Sequence, residues 1–144
     1  KERMCELDQT NCGYYTSRLE DFLKKWDQKL KEWDEGFSKL KGLKVIEYHR
    51  LYDYLLRRYD LMIVGTLEPL PGIPPTAKHI EELIRTSQGV KFVLQDVYHE
   101  RRTANYVASR LGAKMVVLPH DVESLPKVKN LFDMFDEILR GLSQ

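Results

Sequence analysis

The chain has 144 residues, enough for one domain with its own hydrophobic core and too few for two cores of ordinary size. Hydrophobic residues at 42% and charged residues at 31% exclude a disordered chain, and a formal charge of +1, from 23 basic and 22 acidic residues scattered together, sets up no field that would gather nucleic acid or anionic lipid. No apolar run approaches the roughly 20 residues that span a bilayer, and residues 1–12 lack the charged-then-apolar layout of a signal peptide.

Residues 1–13 read as a polar segment that holds both cysteines, Cys5 and Cys12. In an oxidising compartment they would close a short loop worth roughly 2–3 kcal/mol. In a reducing one they would stay two thiols, because a lone C-x6-C is not a zinc spacing.

From Tyr15 onward Leu19, Phe22, Leu23, Trp26, Leu30, Trp33, Phe37 and Leu40 recur at three- and four-residue steps and share one helical stripe. Asn11 suits the cap and Gly42 the position past the end, which predicts a helix of about 26 residues, roughly 40 Å long, within residues 14–42. That is longer than one small domain needs, so part of the stripe is expected to meet something else: a second lobe, a helical hairpin partner or a second copy of the chain.

After Gly42 the texture changes. Leu43–Tyr48, Leu61–Leu67, Val90–Leu94 and Lys114–Leu118 read as strands, each short and rich in Val, Ile or Leu. Between them Leu51–Tyr59, Thr76–Thr86 and Arg101–Leu111 read as helices, with Thr76 as a cap and Gly112 as a stop. The final helix is expected over Pro126–Leu142, with Ser124 near its cap and Pro126 in its first turn. Alternation of this kind predicts right-handed crossovers, and so an α/β fold: a three-layer α/β/α lobe over residues 43–144 with a four-stranded parallel sheet, preceded by the long helix.

Ligands of such sheets sit beyond the carboxyl ends of the strands. The residues there are Tyr48-His49, Glu68, Gln95-Asp96 and Pro119-His120-Asp121, with His99 close by. Imidazole is the commonest metal ligand at neutral pH, and carboxylates complete mixed sites for zinc or manganese. A strand-end histidine is nonetheless often a hydrogen-bonded structural residue, and His79, within its helix, fits a cap or loop anchor. Enzyme readings find less support: the first strand runs through Ile46-Glu47-Tyr48 into His49-Arg50 without the glycines of a phosphate loop, and no G-x-S-x-G elbow occurs.

Three blocks then match in order and spacing: Val45-Ile46-Glu47-Tyr48-His49-Arg50-Leu51-Tyr52-Asp53-Tyr54-Leu55, Gly65-Thr66-Leu67-Glu68-Pro69, and Pro71-Gly72-Ile73-Pro74-Pro75-Thr76-Ala77-Lys78-His79-Ile80. Together with Val116-Val117-Leu118-Pro119 and the upstream Tyr14-Tyr15, Arg18-Leu19 and Phe22-Leu23, they resemble the C-terminal lobe and backbone helix of the TroA-like zinc/manganese solute-binding proteins of ABC importers. The resemblance covers roughly residues 8–144.

The resemblance implies a substrate-binding component of a zinc (alternatively manganese) import system, no enzyme, located in the periplasm or outside the cytoplasmic membrane, with a metal ion and a membrane ABC permease as partners. It implies His49 and Asp121 as metal ligands, with His120 as the rival of Asp121, and Glu68 and His79 as residues that shape the loop and orient ligands. The chain would then be a fragment that lacks the N-terminal lobe and the two histidines that lobe supplies, so its own metal site would be incomplete. A helical interaction module built on the Trp-rich stripe is the rival reading, and a Rossmann-like enzyme with a strand-end histidine base ranks last.

Overall fold

Each run rich in Val, Ile and Leu after Gly42 becomes a strand in the computed structural model, which describes residues 1–143. The strands are β1 (Lys44–Glu47), β2 (Met62–Thr66), β3 (Val90–Gln95) and β4 (Lys114–Val117). The helices are α1 (Glu2–Leu7), α2 (Cys12–Ser38), α3 (Asp53–Arg58), α4 (Ala77–Thr86), α5 (Arg101–Leu111) and α6 (Leu131–Leu142). The strands pair in parallel in the order β2-β1-β3-β4, so the expected α/β fold with a four-stranded parallel sheet is present.

The chain divides into two compact units, Lys1–Glu35 and Gly36–Gln144. In the first, the expected polar segment is itself structured. Asp8 accepts from the Asn11 backbone N–H to start a 3-10 turn, Gln9–Asn11, and the Tyr15 hydroxyl donates to the same carboxylate at 2.8 Å. A Cys5–Cys12 disulfide ties α1 to the start of α2. Along α2 the rings of Phe22, Trp26 and Trp33 follow one another at 5.9 and 5.4 Å; Phe22 and Trp26 stand one turn apart, and Trp26 and Trp33 share the same stripe two turns apart.

In the second unit the pleat sorts side chains to two faces. Ile46 pairs with Val93, and both pack under Ile80 and Leu83 of α4 and Ala104 and Val107 of α5. Leu94 and Val116, one step along, face the other way. There Gly141 brings α6 so close that an added Cβ would lie 3.0 Å from Val116 Cγ1 and 2.8 Å from Leu118 Cδ2. The sheet is thus covered on both sides, as parallel sheets require.

Local signals placed most helix ends. Thr76 caps α4 by accepting from the His79 N–H, and Gly112 ends α5 in the left-handed region at φ 63°. Three expected ends are corrected. The long helix stops at Ser38, and Gly42, at φ 78°, lies four residues on and donates to the Asp60 carbonyl. Asn11 sits inside the 3-10 turn. The last helix begins at Leu131, because Asn130 accepts from the N–H groups of Phe132 and Asp133, while Ser124 donates to the Asp121 carbonyl.

The end of β1 carries an unusual burden. Glu47 is fully buried, and its Oε1 accepts from the Tyr52 N–H at 2.9 Å and the Leu51 N–H at 3.3 Å, fixing the turn into α3. Its Oε2 has no hydrogen-bond partner among the described residues. Burial pushes the carboxyl above its ordinary value, against the two N–H bonds that pull it down.

Two outcomes follow. Asn130→Ala should cost about 1 kcal/mol in chemical denaturation; an unchanged midpoint would place the start of α6 elsewhere. Because Glu47 holds its proton more tightly folded than unfolded, its contribution to stability is complete below the ordinary carboxylate range and is lost as pH rises through its folded value. Glu47→Gln keeps the acceptor and cannot ionise, so its stability relative to the parent should improve as pH rises from below the ordinary carboxylate range to neutrality. A relative stability that is flat over this span would contradict the assignment.

Candidate metal centre

Parallel pairing brings all four carboxyl ends to one edge: Glu47 is level with Thr66 and Leu94, and Gln95 with Val117. The chain leaves β1 toward β2 on one side, and leaves β3 toward β4 on the other. The reversal between β1 and β3 opens the crevice in which ligands of such sheets bind. His49 follows β1, Asp96 and His99 follow β3, and Glu68 comes from β2, next to β1.

Glu68 is the buried acid of this edge, 7% exposed. Its Oε2 lies 2.5 Å from His49 Nδ1 and its Oε1 3.3 Å from His99 Nε2. Burial works to raise its carboxyl pKa, but the hydrogen bond and charge of His49, the Gly72 N–H and the charge of His99 outweigh it and hold the group below its ordinary value. In its neutral form, the state that binds metal, His49 donates Nδ1–H to the ionised Glu68, and Nε2 is then the ring nitrogen with a free lone pair. His49 and Glu68 share the wall of a cleft of ≈ 590 Å³ with Arg50, Arg57, Thr66 and Leu70.

The loop carrying Glu68 is fastened from behind. His79 Nε2 donates to the Thr66 carbonyl at 2.8 Å, and the Thr66 hydroxyl donates to the Glu68 carbonyl at 2.7 Å. Gly72, at φ 77°, takes the left-handed conformation that turns the proline-rich stretch after Glu68. His79 is a loop anchor in this geometry.

Sequence reasoning placed His99 near the edge and went no further. The structure joins it to Asp96, whose Oδ2 lies 2.7 Å from His99 Nδ1 and whose Oδ1 accepts from the N–H groups of Tyr98 and His99. Burial works to raise the Asp96 pKa, and these N–H groups together with the His99 ring overcome it and lower it. The legible signal was an aspartate at a strand end with a histidine three residues on, the spacing at which a side chain caps its own turn.

His120 and Asp121 leave β4, two strand spacings or about 10 Å from β1. They pair with each other, His120 Nε2 to Asp121 Oδ2 at 3.1 Å, and neither bonds His49 or Glu68 among the described residues. Asp121 is mostly exposed, whereas His120 is largely covered and packs edge-on against Tyr98 at 5.0 Å, its Nδ1 buried without a hydrogen-bond partner among the described residues. The buried Tyr52 hydroxyl donates to the Leu118 carbonyl at 2.8 Å, tying the loop after β1 to the loop after β4. Among the described residues no three His, Cys, Asp or Glu side chains form a group that could hold a metal ion by themselves.

A family model described as ZnuA, zinc-uptake complex component A periplasmic, matches residues 1–144. Among solved structures, one described as ZnuA is 21% identical with a TM-score of 0.75, and the match covers 99% of this chain and 52% of that one. FpvC of Pseudomonas aeruginosa, in complex with Ni2+, is 21% identical at 0.71, covering 98% and 53%. The laminin-binding protein Lmb of Streptococcus agalactiae, described as bifunctional with adhesin and metal-transporting activity, is 20% identical at 0.72, covering 98% and 57%. No curated protein matches. The chain therefore spans about half the length of the solved structures it resembles, whose likeness establishes the fold. The family match runs the full length of the sequence, and the chain belongs to the family of zinc-uptake complex component A, periplasmic.

Proposed function

We propose that the chain is part of the metal-capturing component of an ABC import system for zinc, with manganese as the alternative, and that His49 binds the ion through Nε2. The observation that carries this reading is the buried Glu68 carboxylate on His49 Nδ1, which engages that nitrogen and leaves Nε2 without a hydrogen bond among the described residues. Metal-ligating histidines are commonly held this way. Asp121, mostly exposed at the same edge, is the second ligand in this reading, and His120, which pairs with it, is its rival for the role.

Imidazole at the first position favours zinc over manganese, because it is the softer donor. One imidazole and one carboxylate fill half of a tetrahedral shell, so the remaining ligands come from a second lobe joined through α2. The exposed Leu19, Phe22 and Leu23 on α2 suit cover by such a lobe or by a second copy of the chain. Capture and hand-over to a membrane permease involve no chemical step. The family's description as periplasmic agrees with the Cys5–Cys12 disulfide, a bond of oxidising compartments.

Calorimetric titration of zinc tests the ligand directly. With the second lobe present, a four-ligand zinc site is worth roughly 10–16 kcal/mol, so losing a one-quarter share by His49→Ala should weaken binding by about 70-fold or more. Binding that His49→Ala leaves unchanged would contradict the placement of the ion.

A further inference from the structure

Four side chains from three neighbouring loops alternate acid and imidazole: Asp96, His99, Glu68 and His49. The separations are 2.7 Å from Asp96 Oδ2 to His99 Nδ1, 3.3 Å from His99 Nε2 to Glu68 Oε1, and 2.5 Å from Glu68 Oε2 to His49 Nδ1. Asp96 is 1% exposed and is itself held by two backbone N–H groups. The His99 ring lies nearly parallel to the rings of Tyr48, at 4.5 Å, and His49, at 5.9 Å. His99 is therefore fixed in place by Asp96 and by packing.

Both nitrogens of His99 face carboxylate oxygens, so the ring has no lone pair aimed into the cleft and is no ligand in this arrangement. Its effect falls on Glu68. A carboxylate held at one oxygen only can rotate about its last bond and turn toward a nearby cation. With Oε1 against His99 and Oε2 on His49, that rotation is opposed.

We propose that His99 is a positioning residue: by holding Oε1 of Glu68 it keeps Oε2 on His49 Nδ1, so that His49 presents Nε2 to the metal and Glu68 stays out of the coordination shell. The proposal rests on the reading that His49 binds the ion, but its first consequence is visible without metal.

Long-range nitrogen–proton NMR of the imidazole rings in the metal-free chain reads the tautomer directly. His49 is expected as the single Nδ1–H form. In His99→Ala it becomes a mixture with the Nε2–H form, and zinc affinity falls about tenfold, the usual scale for losing a group that orients a ligand. His99→Gln, whose amide N–H reaches Glu68, retains the Nδ1–H form and restores most of the affinity; a residue that only fills space would give no such rescue. A parent protein already in the Nε2–H form overturns the proposal even if the alanine variant fails to fold. Zinc binding that is lost in His49→Ala but unmoved in His99→Ala, with the tautomer unchanged, overturns the role of His99 alone. Binding unmoved by His49→Ala overturns the ligand reading itself.

Discussion

A carboxylate buried at the carboxyl edge of a parallel sheet must be satisfied there, and Glu68 is satisfied by imidazole. Leaving an ionised acid buried and unpaired would cost several kcal/mol, so the sheet edge is built to supply partners: His49 from the neighbouring strand and His99 from the one beyond. The same contacts that keep the acid charged decide which nitrogen His49 turns outward. Stability of the edge and orientation of the candidate ligand are one constraint.

That constraint depends on topology. The strand order β2-β1-β3-β4 sets the loops carrying Glu68, His49 and Asp96–His99 side by side, whereas the loop bearing His120 and Asp121 lies one strand further on. Tyr52 links the two ends of the edge by donating to the Leu118 carbonyl, and burial pushes its hydroxyl pKa up, keeping it a proton donor. A single lobe assembled this way presents separate partial donor sets, which suits an ion held jointly with groups from elsewhere.

Much of the fold was legible because local and tertiary signals agreed. Hydrophobic runs bounded by glycine or charge gave the strands, and Thr76 and Gly112 marked helix ends by the same physics that makes them useful there. The start of α6 was misplaced because Ser124 and Pro126 mimic a helix start, while Asn130 supplies the actual cap. The ladder from Tyr15 to Trp33 was plain in its spacing, but the helix α1 before it was hidden in a polar composition. At the candidate site the strand-end rule selected His49 and Glu68. It could not show that Glu68 bridges two imidazoles, since that depends on the turn by which Asp96 captures His99, a contact between side chains with no periodic signature.

The central claim concerns one nitrogen. A zinc-loaded crystal structure of the full-length protein tests it most directly: His49 Nε2 should lie about 2.0–2.1 Å from the ion, with Nδ1 still on Glu68. An ion bound through Nδ1, or held by Glu68 with His49 turned away, would contradict the account.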